Sequence, residues 1–141
     1  MEPRVVVGLD GSSAARAAVL WAAWLSEETA TPLWVVHAFT AEASPSRPPQ
    51  ELATEAWHRT EATQWLREAL AESPSTPFSA RLVVAEGAWE QVLLRHSPAG
   101  SMLVLGMTPR AAAAAAALRP DLSGPVVMVP ARAVRMAPHA A

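Results

Sequence analysis

Three short segments of the sequence contain residue types that could take part in chemistry. Residues 10–13 read Asp-Gly-Ser-Ser, His37 lies near the end of an apolar run, and Gly106 precedes a segment with seven consecutive alanines. A serine acts as a nucleophile only with a base beside it, and these serines are not in the Gly-x-Ser-x-Gly turn that exposes such a hydroxyl. The pattern disfavours a hydrolase, so we expect no catalytic residue.

Composition argues against metal, thiol and nucleic-acid chemistry. The sequence contains no cysteine, which leaves no thiolate ligand, thiol nucleophile or disulfide within it. The formal net charge is −2 and the pI is about 6.1, so we expect no nucleic-acid partner and no acidic-lipid surface. No metal-binding spacing occurs among the four histidines, which are His37, His58, His96 and His139. Because no apolar run suits a signal peptide or a membrane span, we expect a cytoplasmic protein.

The elements that position these residues follow from the hydrophobic pattern. Continuous apolar runs, typical of strands covered on both faces, occupy residues 4–10, 33–39, 78–84, 102–106 and 125–129. Helical patterns lie between them, over residues 14–28, 51–72, 88–97 and 109–118. This alternation predicts an α/β protein with a five-stranded parallel sheet and helices on both faces, in a Rossmann-like arrangement. In such sheets ligands bind outside the carboxyl ends of the strands.

Two of the predicted helices carry distinctive apolar surfaces. Trp21 and Trp24 are three residues apart on the first helix, where they pack in the core or contact a second subunit. The helix over 51–72 is amphipathic, with a predicted inward stripe of Leu52, Ala56, Thr63, Leu66 and Leu70. The proline-rich segment 40–50 before it predicts a loop.

Three segments, taken in order, resemble the universal stress protein family. They read VVVGLDGSSAARAAVLWAAWLSEETATPLWVVHAF, VVAEGAWEQVLLRHSPAGSMLVLG and PVVMVP. The likeness extends over residues 4–39 and 80–130, and it implies a universal stress protein domain over residues 1–130. Residues 131–141 have no clear period and are expected to form a loosely ordered tail.

The resemblance also implies a homodimer with a role in the stress response, in a family whose members either bind ATP or do not. In the binders, the aspartate after the first strand holds the nucleotide, here Asp10, with Gly11 and Ser12 beside it. Main-chain groups at the end of the second strand, here around Val36 and His37, take the adenine. The phosphates lie at a Gly-x-x-Gly, nine residues, Gly-Ser/Thr signature after the fourth strand, where Gly106 matches the first glycine.

The rest of that phosphate signature is missing. Pro109 replaces the second glycine, and Arg119 and Pro120 stand where Gly-Ser/Thr belongs. Proline has no N–H to donate to a phosphate, and residues 107–123 contain no glycine that could substitute. The sequence therefore resembles the branch that does not bind ATP, with a degenerate ATP-binding motif.

An ordinary helix accounts for the alanine tract. Thr108 is suited to the N-cap, Pro109 to the first helical position, and Leu118 to the last turn before Arg119-Pro120. A weak anion site formed by Thr108, Arg110 and Ser12 is a second hypothesis for this segment.

Several functions remain open at this stage. The first is a non-enzymatic regulatory adaptor without a cofactor, dimeric through the last strand, whose interface residues would be Val126, Val127, Met128 and Val129. The second is an ATP- or AMP-binding protein that uses Asp10, Val36 and Gly106, with Arg110 or Arg119 as substitute phosphate ligands. A weak nucleotide hydrolase or transferase on the same fold is the third. The alternative for Asp10 is a structural role, in which its carboxylate accepts a hydrogen bond from a main-chain N–H of the same turn.

Overall fold

Five parallel strands form one sheet in the computed structural model, which describes residues 2–40, 55–73, 77 and 79–131. The strands are β1 (Val5–Gly8), β2 (Leu33–Phe39), β3 (Ala80–Glu86), β4 (Met102–Gly106) and β5 (Val126–Val129). The helices are α1 (Ser13–Thr29), α2 (Glu55–Leu70), α3 (Trp89–Arg95) and α4 (Pro109–Leu118), followed by a 3₁₀ turn over Arg119–Asp121. The predicted five-stranded parallel sheet with helices is confirmed.

The strand order creates one crevice at the carboxyl edge of the sheet. The strands lie in the order β3-β2-β1-β4-β5, so β1 and β4 are neighbours at the centre. The chain leaves β1 toward β2 on one side and leaves β4 toward β5 on the other. A crevice opens where connections diverge in this way, and it is the usual ligand site of such sheets.

Each face of the sheet has its own apolar core, because successive side chains of a strand point to opposite faces. Val5 and Val7 of β1 pack with α1 and α2 on one face. Val6 packs with α3 and α4 on the other. All four residues of β1 are buried, as expected for the central strand of a sheet that helices cover twice.

Local capping chemistry sets the start of two helices. Ser12 is the N-cap of α1, and its Oγ accepts from the main-chain N–H of Ala15 at 3.0 Å. Thr108 is the N-cap of α4, and its Oγ1 accepts from Ala111 N at 3.1 Å. The predicted start of α4 at Pro109 and its end at Leu118 are confirmed.

Two predictions about elements are corrected. The third strand spans 80–86, not 78–84, because β3 pairs with every residue of β2 up to Phe39, opposite the polar Glu86. The predicted inward stripe of α2 is correct only in part, because Leu66 and Leu70 pack against the core whereas Ala56 is exposed and Thr63 only half-buried. The fully buried positions of α2 are instead His58, Ala62 and Ala69. Two of these are alanines, and small side chains let α2 approach α1 and β3 closely.

Parts of two further predictions concern residues that the structure does not describe. The loop predicted over 40–50 falls, after Thr40, outside the described residues, as does Leu52 of the predicted stripe. The tail predicted over 131–141 does so after Ala131.

Candidate functional site

The loop between β1 and α1 is held by its own polar groups. Asp10 is half-buried, and its Oδ1 accepts from the main-chain N–H of Ser12 at 2.9 Å, which closes an Asx turn. Gly11, between them, has a φ of +83°, a backbone conformation that favours glycine. Asp10 is the residue predicted to hold a nucleotide, and one of its carboxylate oxygens therefore already accepts a hydrogen bond that shapes the turn.

An aromatic side chain of α2 covers this loop. A Cβ atom on Gly11 would lie 2.8 Å from Cζ2 of Trp65, so the indole rests directly on the glycine backbone. Trp65 also meets His37 edge-on, with 5.3 Å between ring centroids. The His37 Nδ1 lies 2.8 Å from Leu9 O, and because a carbonyl can only accept, this nitrogen carries the proton. His37 is thus an oriented residue at the rim of the loop.

A small cavity lies between the loop and α2. Its volume is about 180 Å³, below the roughly 300 Å³ at which pockets for small-molecule ligands begin. Its lining residues are Leu9, Gly11, Ser12, Ser13, Arg16, Trp65 and Glu68. The cation among them is already paired, since Arg16 Nε lies 2.8 Å from a carboxylate oxygen of Glu72. The cavity is too small for a nucleotide and offers it no free cation.

Trp89, at the start of α3, packs on the end of β1 from the sheet face that α3 and α4 cover. Its side chain is 6% exposed, and Cβ atoms built on Gly8 would lie 3.0 Å from both its Cζ2 and Leu105 Cδ2. The indole therefore covers the carboxyl end of β1, against β4. The Arg110 guanidinium carbon lies 4.7 Å from the centroid of the same ring, in cation–π contact.

The packing of Gly106 has a structural cause. A Cβ at this position would lie 2.5 Å from Ala15 N and would collide with the main-chain carbonyl of Ala14. The first turn of α1 thus rests on the end of β4, and only glycine permits this approach. A glycine here is required by helix packing whether or not a phosphate binds.

The other predicted site residues also have internal partners. Val36 is fully buried, and the resemblance assigns the main-chain groups around it to adenine. Its carbonyl accepts a hydrogen bond from Leu9 N at 2.9 Å. In the hypothetical anion site, the oxygens of Thr108 and Ser12 accept from their own helices, while Arg110 lies over an indole. The structure places all of these residues around the crevice and engages each of them within the chain.

Sequence reasoning missed Trp65 and Trp89 as crevice residues. The only available signal for Trp89 was its position directly after a strand, in the first turn of a helix. Trp65 lies in mid-helix and carried no such signal.

The described ranges contain neither a metal-binding cluster nor a membrane-spanning helix. No group of three or more His, Cys, Asp or Glu side chains there could hold a metal ion. None of the helices described is long and apolar enough to span a membrane.

The molecule is thus an α/β domain with a parallel sheet whose ligand crevice is lined by the chain's own aromatic and aliphatic side chains. Residues 1–127 match the sequence profile of the universal stress protein family. The chain therefore belongs to the universal stress protein family. No relative was found among curated proteins.

Solved structures of this family have the same architecture. A universal stress protein family member from Burkholderia pseudomallei is similar at 25% identity and a TM-score of 0.62, over 89% of this chain and 94% of that one. A universal stress protein from Archaeoglobus fulgidus has 14% identity and a TM-score of 0.63, over 92% of this chain and 94% of its own. A third, a universal stress protein in complex with cAMP, has 18% identity and a TM-score of 0.53, over 90% of this chain and 96% of its own.

Proposed function

We propose that the protein is a non-enzymatic regulatory adaptor of the stress response, dimeric and cytoplasmic, whose crevice does not take ATP. Its partner would be another protein rather than a nucleic acid or a membrane. The observation that carries this proposal is the packing at the ends of β1 and β4, where the buried indole of Trp89 contacts Gly8 and the first turn of α1 rests on Gly106.

The main-chain groups after β4 support the same conclusion. Phosphate loops bind through free N–H groups, and here most of those groups are used or missing. Met107 N donates to Val129 O at 2.8 Å, Pro109 has no N–H, and Ala111 N donates to Thr108 Oγ1 at 3.1 Å. A triphosphate would find few donors in this loop.

The alternative is a protein that binds ATP, AMP or a related nucleotide with substitute ligands. Arg110 favours it, because this exposed cation lies in the first turn of α4, where an anion would relieve its repulsion from the helix dipole. The similar structure solved with cAMP is compatible with it. Asp10, Val36 and Gly106 would then contact the nucleoside, with Arg110 or Arg119 on the phosphates.

Thermal unfolding with and without nucleotides separates the two functions. We expect millimolar ATP with magnesium, AMP and cAMP to raise the melting temperature no more than GTP does. A specific ligand at a hundred times its dissociation constant would add about 2.7 kcal/mol, a rise of several degrees for a domain of this size. GTP is the control for non-specific effects. A rise of the melting temperature with an adenine nucleotide but not with GTP would contradict the adaptor function and support the nucleotide-binding function.

The edge strand β5 is the proposed dimer interface. It ends the strand order, and three of its four residues, Val126, Val127 and Met128, are only half-buried within the described chain. Leu103 N donates to Pro125 O, and Met107 N to Val129 O, so the main-chain groups of alternate β5 residues face β4. Those of Val126 and Met128 therefore point outward, available to a second copy of the strand.

Met128→Pro is expected to abolish the dimer while leaving the fold intact. Proline removes the outward N–H of residue 128 without touching the bonds to β4. Sedimentation velocity over a range of concentrations would show the monomer, with circular dichroism to verify folding. Met128→Ala is the matched control, because it loses the same side chain but keeps the N–H and should stay dimeric. A dimeric Met128→Pro variant would move the interface elsewhere, with the half-exposed Trp24 on α1 as the next candidate.

A further inference from the structure

A cluster of cations surrounds one indole at the amino edge of the sheet, the edge opposite the crevice. Trp34 of β2 pairs with Val6 of β1 on one side and with Arg81 of β3 on the other. The Arg4 guanidinium carbon lies 3.5 Å from the Trp34 ring centroid, and that of Arg81 lies 4.7 Å from it. Two guanidinium groups from neighbouring strand positions thus share one aromatic ring.

The end of α3 adds further positive charge. The His96 ring centroid lies 6.0 Å from that of Trp34, and Arg4 Nη1 donates to His96 O at 3.4 Å. Burial, and then the charges of Arg95, Arg4 and Arg81, lower the pKa of His96. The pKa of Arg4 is also lowered, first by burial and then by Arg81. The charges are therefore close enough to repel one another.

Nearby carboxylates do not neutralise the exposed members of this cluster. The ion pairs found in the described part of the chain are Arg16–Glu72 and Arg59–Glu55, and neither Arg81 nor Arg95 takes part in one. Arg81 and Arg95 are both exposed, and His96 is half-buried. Because the whole chain has a net charge of −2, this concentration of positive charge is a local feature.

We infer that the amino-edge cluster of Arg4, Trp34, Arg81 and His96 binds a doubly charged oxyanion, the phosphate group of a small molecule or free phosphate. Guanidinium groups match the oxygen geometry of phosphate, and stacking on Trp34 fixes their planes before the anion arrives. A bound dianion would relieve the repulsion among the cations and accept hydrogen bonds from Arg81 and a protonated His96. This site goes beyond the proposed function, because it lies at the other end of the strands from the crevice.

The His96 titration, followed by NMR, is the direct test. In sodium sulfate, whose charge is constant over the pH range, we expect the pKa of His96 to rise relative to sodium chloride at equal ionic strength. The anion stabilises the protonated imidazole, so its proton is retained to higher pH. Equal His96 titrations in the two salts would overturn the proposal.

Arg81→Gln tests the geometry of the site at fixed pH. With inorganic phosphate as the probe, the affinity read from the His96 signal should fall about threefold to fivefold, the range for an exposed charge pair. Arg67→Gln, an exposed arginine on α2, is the matched control and should leave the affinity unchanged. An equal loss of phosphate affinity in both variants would mean that the effect comes from the net charge of the protein and not from this site, which would contradict the proposal.

The source of the phosphate is distinguished in the same experiment. Glycerol 3-phosphate binding at least as tightly as inorganic phosphate would support a phosphorylated small molecule, whereas weaker binding would support free phosphate. Failure of this proposal leaves the adaptor function untouched, because phosphate binding at this edge would stabilise the protein with GTP as much as with ATP, whereas the adaptor is tested by the difference between those two nucleotides.

Discussion

Gly106→Ala is expected to lower the free energy of unfolding by about 3 kcal/mol or more, or to prevent folding. The added Cβ would lie 2.5 Å from Ala15 N and would overlap the main chain of Ala14. Backbone cannot rotate away as a side chain does, so the first turn of α1 would have to lift from β4. The N-cap hydrogen bond to Ser12 Oγ also holds this first turn of α1 in place. Urea unfolding of both proteins measures the difference.

Met107→Ala is the control for this prediction. Met107 is the next residue along the chain and is 54% exposed, so shortening its side chain should change stability by no more than about 0.5 kcal/mol. If Gly106→Ala were as stable as the parent, α1 would not rest on β4 as described. The alternative reason for a glycine, phosphate contact, would then gain support.

Trp89→Ala is expected to cost about 3–5 kcal/mol of stability, the usual range for deleting a buried large aromatic side chain. The indole contacts both Gly8 and the apolar core under α3 and α4, so its removal would leave a cavity between the sheet and these helices. The Arg110 guanidinium would also lose its aromatic partner. Urea unfolding measures the loss in the free energy of unfolding. Circular dichroism is the probe in place of tryptophan fluorescence, because the substitution removes a tryptophan.

Trp89→Phe separates packing from polarity at the same position. The indole Nε1 is buried without a hydrogen-bond partner among the described residues, which is an unfavourable state for a donor. Phenylalanine fills less space but removes that donor, so the two effects oppose one another. We expect Trp89→Phe to lie within about 1 kcal/mol of the parent. A loss as large as that of alanine would show that Nε1 binds a partner, and the filled crevice would need another interpretation.

Much of the fold was predictable because its signals are local. The apolar runs predicted β2 and β4 to the residue, and the N-cap at Thr108, the proline after it and the alanines predicted α4 to the residue. A predicted strand end was wrong where hydrogen bonding to a neighbouring strand, and not the apolar character of the residues, decided where the strand ends. β3 continues to Glu86 because β2 supplies a partner there, although a glutamate reads as the end of a strand.

The candidate site was predictable only in part. Asp10, Val36 and Gly106 could be placed at the carboxyl edge from strand order alone. The contacts of Trp65 with Gly11 and of Trp89 with Gly8 could not be predicted, because each joins residues more than fifty positions apart along the sequence.

The sequence by itself determined the alternating architecture and the family, since both depend on residue types and spacings along the chain. Only the tertiary structure decided which face of α2 is buried, why Gly106 must be glycine and which side chains occupy the crevice. It also brought Arg4, Arg81 and His96 around Trp34. These features arise from contacts between distant segments, and the energy of such contacts depends on packing in three dimensions that no local pattern encodes.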